Sequence, residues 1–308
     1  MSTRYIYFAF ATLAMASLLA SCTKDSIEDN KSGALANLEL ATVKSTETKA
    51  AIDGTTFPQE GHIGLFLFKD EAAKETYGET GYANIEYAYN SEKNKWTASP
   101  SIKVGSTPGY LYGYYPYNSS ATDVKAIPVA SSLNGDDVMY ATKQSVTDAT
   151  ASSTAITMNH ALARIAITVK NNGYTGEAKL TSIKFGGAET SASGTLDATG
   201  GAISGTTKAD VLLAVPEASQ QITAEGTVYE CLLVPSLIVG GKQNVDITFT
   251  IDAQDKTATL SGDNGVIISQ STKSNITITL SDSGIAVSSV SVSDWASGSE
   301  SSHGFGGE

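Results

Sequence analysis

The side chains that could do chemistry are few and badly spaced for catalysis. His62, His160 and His303 lie about 100 residues apart, and no two share a spacing that ligates a metal. His160, four residues before Arg164, reads as a packing or capping residue. The chain has no Gly-x-Ser-x-Gly elbow, no P-loop, and no intact Rossmann fingerprint running into a helix. Asp136 and Asp137 follow Asn134-Gly135. Calcium needs about six to eight oxygens, more than one carboxylate pair supplies, so this reads as a solvated turn. Cys231 sits in the apolar run Tyr229-Glu-Cys-Leu-Leu-Val-Pro235, where a thiol behaves as a small buried hydrophobe. Neither an enzyme nor a cofactor is expected.

Aromatic residues offer a second kind of chemistry. Trp96, Tyr112 and Tyr114 would make a platform for sugar rings if their faces were exposed, because aromatic faces stack on apolar C–H groups. The other reading, which we favour, puts them in a core or a contact between sheets. Phosphate recognition is excluded more firmly. The chain holds two arginines, Arg4 and Arg164, and a net charge of −12, so no nucleic-acid partner is expected.

Cys22 is the one residue with a definite covalent role. Arg4 precedes an apolar run, Tyr5 to Ala20, broken only by Thr12 and Ser17. That is the pattern of a secretory signal, too short to span a bilayer. Its end, Leu19-Ala20-Ser21-Cys22, resembles the bacterial lipobox, in which the chain is cut before a cysteine whose thiol carries the lipid. Residues 1–21 are therefore expected to be a lipoprotein signal peptide and 22–34 a polar tether on the outer membrane. With Cys22 lipidated, Cys231 has no partner in the chain.

The elements that must position everything else read as strands. Ile165, Ile167 and Val169 alternate, as do Val245, Ile247, Phe249 and Ile251, and Ile276, Ile278 and Leu280. A period of two with one apolar face belongs to a sheet covering a core on one side. Ile63 to Phe68 is a strand buried on both faces. Leu35 to Val43 reads as a strand with Leu38, Leu40 and Thr42 on one side. Asp70 to Gly81 is a loop or short helix. Turn signals such as Asn171-Asn-Gly173 and Asp263-Asn-Gly265 separate the strands. The fold class is all-β, in two β-sandwich domains in tandem: 35–158, 159–295, then a loose tail, 296–308.

Several segments together resemble the fimbrillin family. Phe57-Pro-Gln-Glu-Gly61-His-Ile63-Gly64-Leu-Phe66 is similar to its "F-x-x-G-D-x-I-G-V-F" opening, with His62 in place of Asp. Trp96 and Tyr112-Gly-Tyr114-Tyr115-Pro116-Tyr117 look like its Trp and "Y-A-Y-Y-P-Y" segments. Met158-Asn-His160-Ala-Leu-Ala-Arg164-Ile resembles its "H-x-x-A-R/K" segment, and Asp294-Trp295 its terminal "T-D-W".

The resemblance implies a surface pilus subunit or cell-adhesion lipoprotein made of two transthyretin-like sandwiches. It implies polymerisation with other pilin subunits after a trypsin-like protease removes the first strand. A strand of another subunit, usually from its C-terminal end, then fills the groove. On this sequence the removable strand is Leu35 to Val43, with Leu35, Leu38, Leu40 and Val43 as groove-filling candidates. The cut falls at Lys49, with Lys44 as second choice, because no arginine is available there. A host receptor or glycan is a further partner. The alternative function is a glycan-binding surface lipoprotein.

Overall fold

A chain whose apolar residues recur every second position can bury them only by laying strands side by side, and it does so almost throughout. The structure, a computed structural model, describes residues 34–45, 61–133, 135–187, 190–235 and 241–295. The expected signal peptide, 1–21, and tail, 296–308, together with Cys22 and Lys49, lie outside the described residues. In chain order the first half supplies β1 (Ala36–Asn37), β2 (Leu40–Ser45), β3 (His62–Phe68), β4 (Tyr82–Asn90), β5 (Lys95–Thr97) and β6 (Lys103–Val104). It continues with β7 (Gly109–Tyr115), β8 (Ile127–Ala130), β9 (Ser132–Leu133), β10 (Met139–Ala141), β11 (Gln144–Val146) and β12 (Thr154–His160). The second half supplies β13 (Ala163–Asn171), β14 (Leu180–Gly186), β15 (Ser193–Asp197), β16 (Ala202–Ser204) and β17 (Val211–Ala214). It ends with β18 (Thr227–Leu233), β19 (Val245–Ile251), β20 (Gln254–Leu260), β21 (Thr272–Ser281) and β22 (Gly284–Asp294). The stretch Asp70 to Gly81 is turns and bends, without a helix.

The first sheet runs β10-β12-β2-β5-β4-β3-β7-β11, and β10 also pairs with β7. It therefore closes on itself, and the circuit passes through β2. Its core gathers Leu40, Ile63, Tyr87, Trp96, Leu111 and Met158. In the second half a five-stranded sheet, β22-β21-β13-β18-β9, faces a four-stranded one, β17-β14-β19-β20. Ile165, Ile167, Tyr229, Ile276 and Ile278 from one sheet meet Ile183, Phe185, Ile247 and Phe249 from the other in a single core. That is a β-sandwich.

The halves are stitched together. β8 pairs with β15, and β9 pairs with β18, so the first half contributes strands to sheets of the second. A third core joins Phe66, Tyr112 and Tyr114 to Leu196, Leu232 and Trp295. The described residues all belong to one compact unit beginning at Ala34. β12 runs to His160 and β13 opens at Ala163.

Glycine matters at one close approach. A Cβ on Gly64 would lie 2.2 Å from Cε1 of Tyr114 and 2.6 Å from Oδ1 of Asn84. The side chain is absent so that the Tyr114 ring can cross the strand.

Candidate functional site

The first described strand carries most of the structural interest. The backbone N–H of Leu38 donates to Ile102 O at 2.9 Å, and that of Glu39 to Ala151 O at 2.8 Å. The carbonyl of Leu38 accepts from Tyr87 Oη at 3.0 Å and Ser101 Oγ at 2.9 Å. From Leu40 the strand enters the closed sheet as β2. It runs parallel to β12 and meets β5 in antiparallel register at Leu40 and Trp96. Thr154 faces Leu40 and Ala155 faces Thr42, so Ala41 is an extra residue, a β-bulge.

The bulge decides which side chains fill the core. Leu38 and Leu40 are fully buried and Val43 nearly so, at 0%, 0% and 2% exposure. A regular strand would have turned Thr42 inward. The inserted residue shifts the alternation by one, so Thr42 is half-exposed and Val43 takes the inner place. Leu35, expected to fill the groove, is instead 62% exposed. It precedes β1, whose pairing with β6 begins at Ala36. On the outer side Nζ of Lys95 lies 3.0 Å and Nζ of Lys93 3.7 Å from the Glu39 carboxylate. The hydrogen bond from Lys95, against a smaller opposing effect of burial, holds the Glu39 pKa below its ordinary value. Lys44 is exposed, but its backbone is in the ladder opposite Thr157.

The glycan platform is not built. Trp96, Tyr112 and Tyr114 are buried at 3%, 1% and 1% exposure. Trp96 lies edge-on to Tyr89, with ring centroids 5.9 Å apart. Tyr112 Oη donates to Glu71 O at 2.7 Å, and Tyr114 Oη to Asn84 Oδ1 at 2.8 Å and Asn118 O at 2.9 Å. Their ring faces lie in cores, where no sugar reaches, because large aromatic area is worth more buried than exposed. Cys231 is fully buried, and desolvation pushes its thiol pKa well up, so it is not a reactive group.

Sequence reasoning missed a cluster where the halves meet. Asp137 was expected in a solvated turn, yet it is 2% exposed and its carboxylate bonds to Nδ1 of His160. The His160 ring stacks on Trp295, with centroids 4.0 Å apart and planes 6° from parallel. The Arg164 guanidinium lies 5.9 Å from the Trp295 ring and holds Glu230 by two bonds of 2.7 and 2.6 Å. The motif residues His160, Arg164 and Trp295 thus form one stack that fastens the end of β22. Among the described residues no three His, Cys, Asp or Glu side chains are grouped to hold a metal. No helix among them is long and apolar enough to cross a membrane.

Comparison with known proteins fits this architecture. The fimbrillin-like family model matches residues 48–295. The crystal structure of a candidate cell adhesion protein from Bacteroides uniformis superposes with a TM-score of 0.59 at 21% identity. That match covers 85% of this chain and 99% of the other. A second candidate cell adhesion protein, from Bacteroides ovatus, gives 0.59 at 15% identity, covering 85% and 98%. At such identities the likeness speaks for the fold. Comparison with curated protein sequences gave no match.

Proposed function

The chain belongs to the fimbrillin-like family, and from that premise we propose that it is a fimbrial or cell-adhesion subunit that assembles by exchanging its first strand. The role is structural, at the bacterial surface, with the lipid on Cys22 tethering the chain to the outer membrane. A trypsin-like protease cuts between β2 and β3. Lys49 is the better site, because Lys44 is held in a paired strand and proteases need an extended, unpaired segment. The two halves correspond to tandem transthyretin-like sandwiches, 35–158 and 159–295, with 296–308 as tail. The partners are other pilin subunits and, through the assembled fibre, a host receptor.

One observation carries the reading: the first sheet closes only through β2, and β2 stands on the N-terminal side of Lys49. Taking it away opens β12 on one side and β5 on the other. It also empties three apolar positions, those of Leu38, Leu40 and Val43. Unpaired strand edges beside an apolar channel accept a strand from another chain. Each filled position is worth about 1.5–3 kcal/mol and each backbone bond about 1 kcal/mol net. The glycan-binding alternative loses its support with the burial of Trp96, Tyr112 and Tyr114.

The test is to shave the protein from intact cells, resolve it unboiled on denaturing gels, and read its N-terminus by mass spectrometry. Exchange predicts ladders whose subunits begin at Ala50. Monomers that all begin at a lipidated Cys22 would contradict it.

A further inference from the structure

Strand exchange leaves one buried titratable pair without a task. β12 ends at His160, three residues before β13 opens the second half, and Asp137 lies two residues before β10. Both side chains are buried, and Nδ1 of His160 bonds to Oδ2 of Asp137. The imidazole sits where the halves meet. On the first side, His160 faces Met139 across the β10–β12 ladder, and Met139 faces Tyr115 of β7. On the second, the Ser271 hydroxyl donates to His160 O at 3.1 Å and the Ser271 N–H to Leu162 O at 3.2 Å. The N–H of Trp295 donates to Ser271 O at 2.9 Å, and its ring lies flat on the imidazole.

We infer that the pair is a proton-operated latch between the halves, closed while His160 is an imidazolium and weakened when that proton leaves. An imidazolium beside a carboxylate has no net charge. Without the proton a single negative charge stays behind, in a space with little water to solvate it. The touching carboxylate favours the cation, and so does the π face of Trp295.

Each neighbouring charge bears on that balance. Asp136 is exposed and adds a weak pull in the same direction. Tyr115 stays neutral, because burial and then the charges of Asp136 and Asp137 push its pKa up to about 12. Arg164 also approaches the Trp295 ring, but its guanidinium is held by both carboxylate oxygens of Glu230. Lys273 faces Arg164 across the β13–β21 ladder and opposes the imidazolium. It acts from a strand further away, whereas Asp137 is in contact, so the carboxylate sets the sign. The pair titrates as a unit, and its upper pKa lies above the ordinary imidazole value of about 6.5. The latch is therefore complete below about pH 6.5 and is lost as the pH rises through that higher value. Acidic to neutral surroundings hold the halves together, and alkaline ones loosen them.

Histidine titration tests this in the full chain, with isotope-labelled imidazoles followed by NMR. The variants His62→Gln and His303→Gln assign the other two signals. His160 should take up its second proton at a pH above about 6.5. Asp137→Asn keeps the size and a hydrogen-bond acceptor but removes the charge, and should move that titration below the ordinary value. Melting gives a second reading. The Tm advantage of the unmodified protein over His160→Gln should be larger at pH 6 than at pH 9, whereas a purely packing role would keep it constant. A His160 that titrates at or below the ordinary value, or a Tm difference equal at both pH values, overturns the latch. Where His160→Gln fails to fold, the titration of the unmodified protein decides alone. Neither reading involves subunit ladders, so a failed latch leaves strand exchange standing.

Discussion

Leu40 fills the middle of the first core, opposite Trp96 on one side and Thr154 on the other. Leu40→Ala removes a buried side chain that the sheet cannot close over, and should cost the uncut monomer about 2–5 kcal/mol. Under the proposed cut residue 40 is discarded on assembly, so the same substitution should leave the melting of isolated fimbriae unchanged. Thermal unfolding of the two forms separates these outcomes. Glu39 gives β2 a smaller, pH-dependent hold. Its folded pKa is depressed below the usual 4.5, so its contribution is present above that value and fades as pH falls through the lower folded one. Because the group is partly exposed, the effect is at most about 1 kcal/mol. Melting of Glu39→Gln should fall short of the unmodified protein at pH 7 and match it at pH 2.

At the level of elements, the strands that were legible are those with an unbroken period of two. β13, β19 and β21 each bury one row against one core, and their sequences say so directly. β2 was legible as a strand but not in its facing. Leu38, Leu40 and Thr42 fit a regular alternation, and nothing local announces that Ala41 is extra, because a bulge is fixed by the partner strand. β8 and β9 were invisible as bridges for a related reason. They are four and two residues long, and their partners, β15 and β18, lie some 65 to 100 residues away. Candidate residues fared similarly. Burial of Cys231 could be read from its apolar neighbours, whereas Asp137 looked like a turn residue until His160 was placed beside it. The Trp295 stack gives a prediction for β22. Trp295→Ala should cost about 3–5 kcal/mol of monomer stability by removing the buried ring on which His160 stacks and which the Arg164 guanidinium approaches. It should also raise hydrogen exchange along β22, measured peptide by peptide, more than along β13.

For the molecule as a whole, two cores are joined by a third, and the chain's ends do different work. The first strand closes a sheet from within, and the last lies along an edge. Under the proposed strand exchange, a subunit built in this way stays folded while alone, because its own segment occupies the groove that another subunit would use. On that proposal assembly would wait on a cut rather than on an encounter. The central claim is that β2 must leave for subunits to join. The most direct measurement is to fasten it. Thr42 and Ala155 are ladder partners, so Thr42→Cys with Ala155→Cys can form a disulfide across β2 and β12. With the bond formed, treated protein should remain monomeric on unboiled gels, and adding a reductant should release the ladder. Ladders of equal strength with the bond intact would contradict the account.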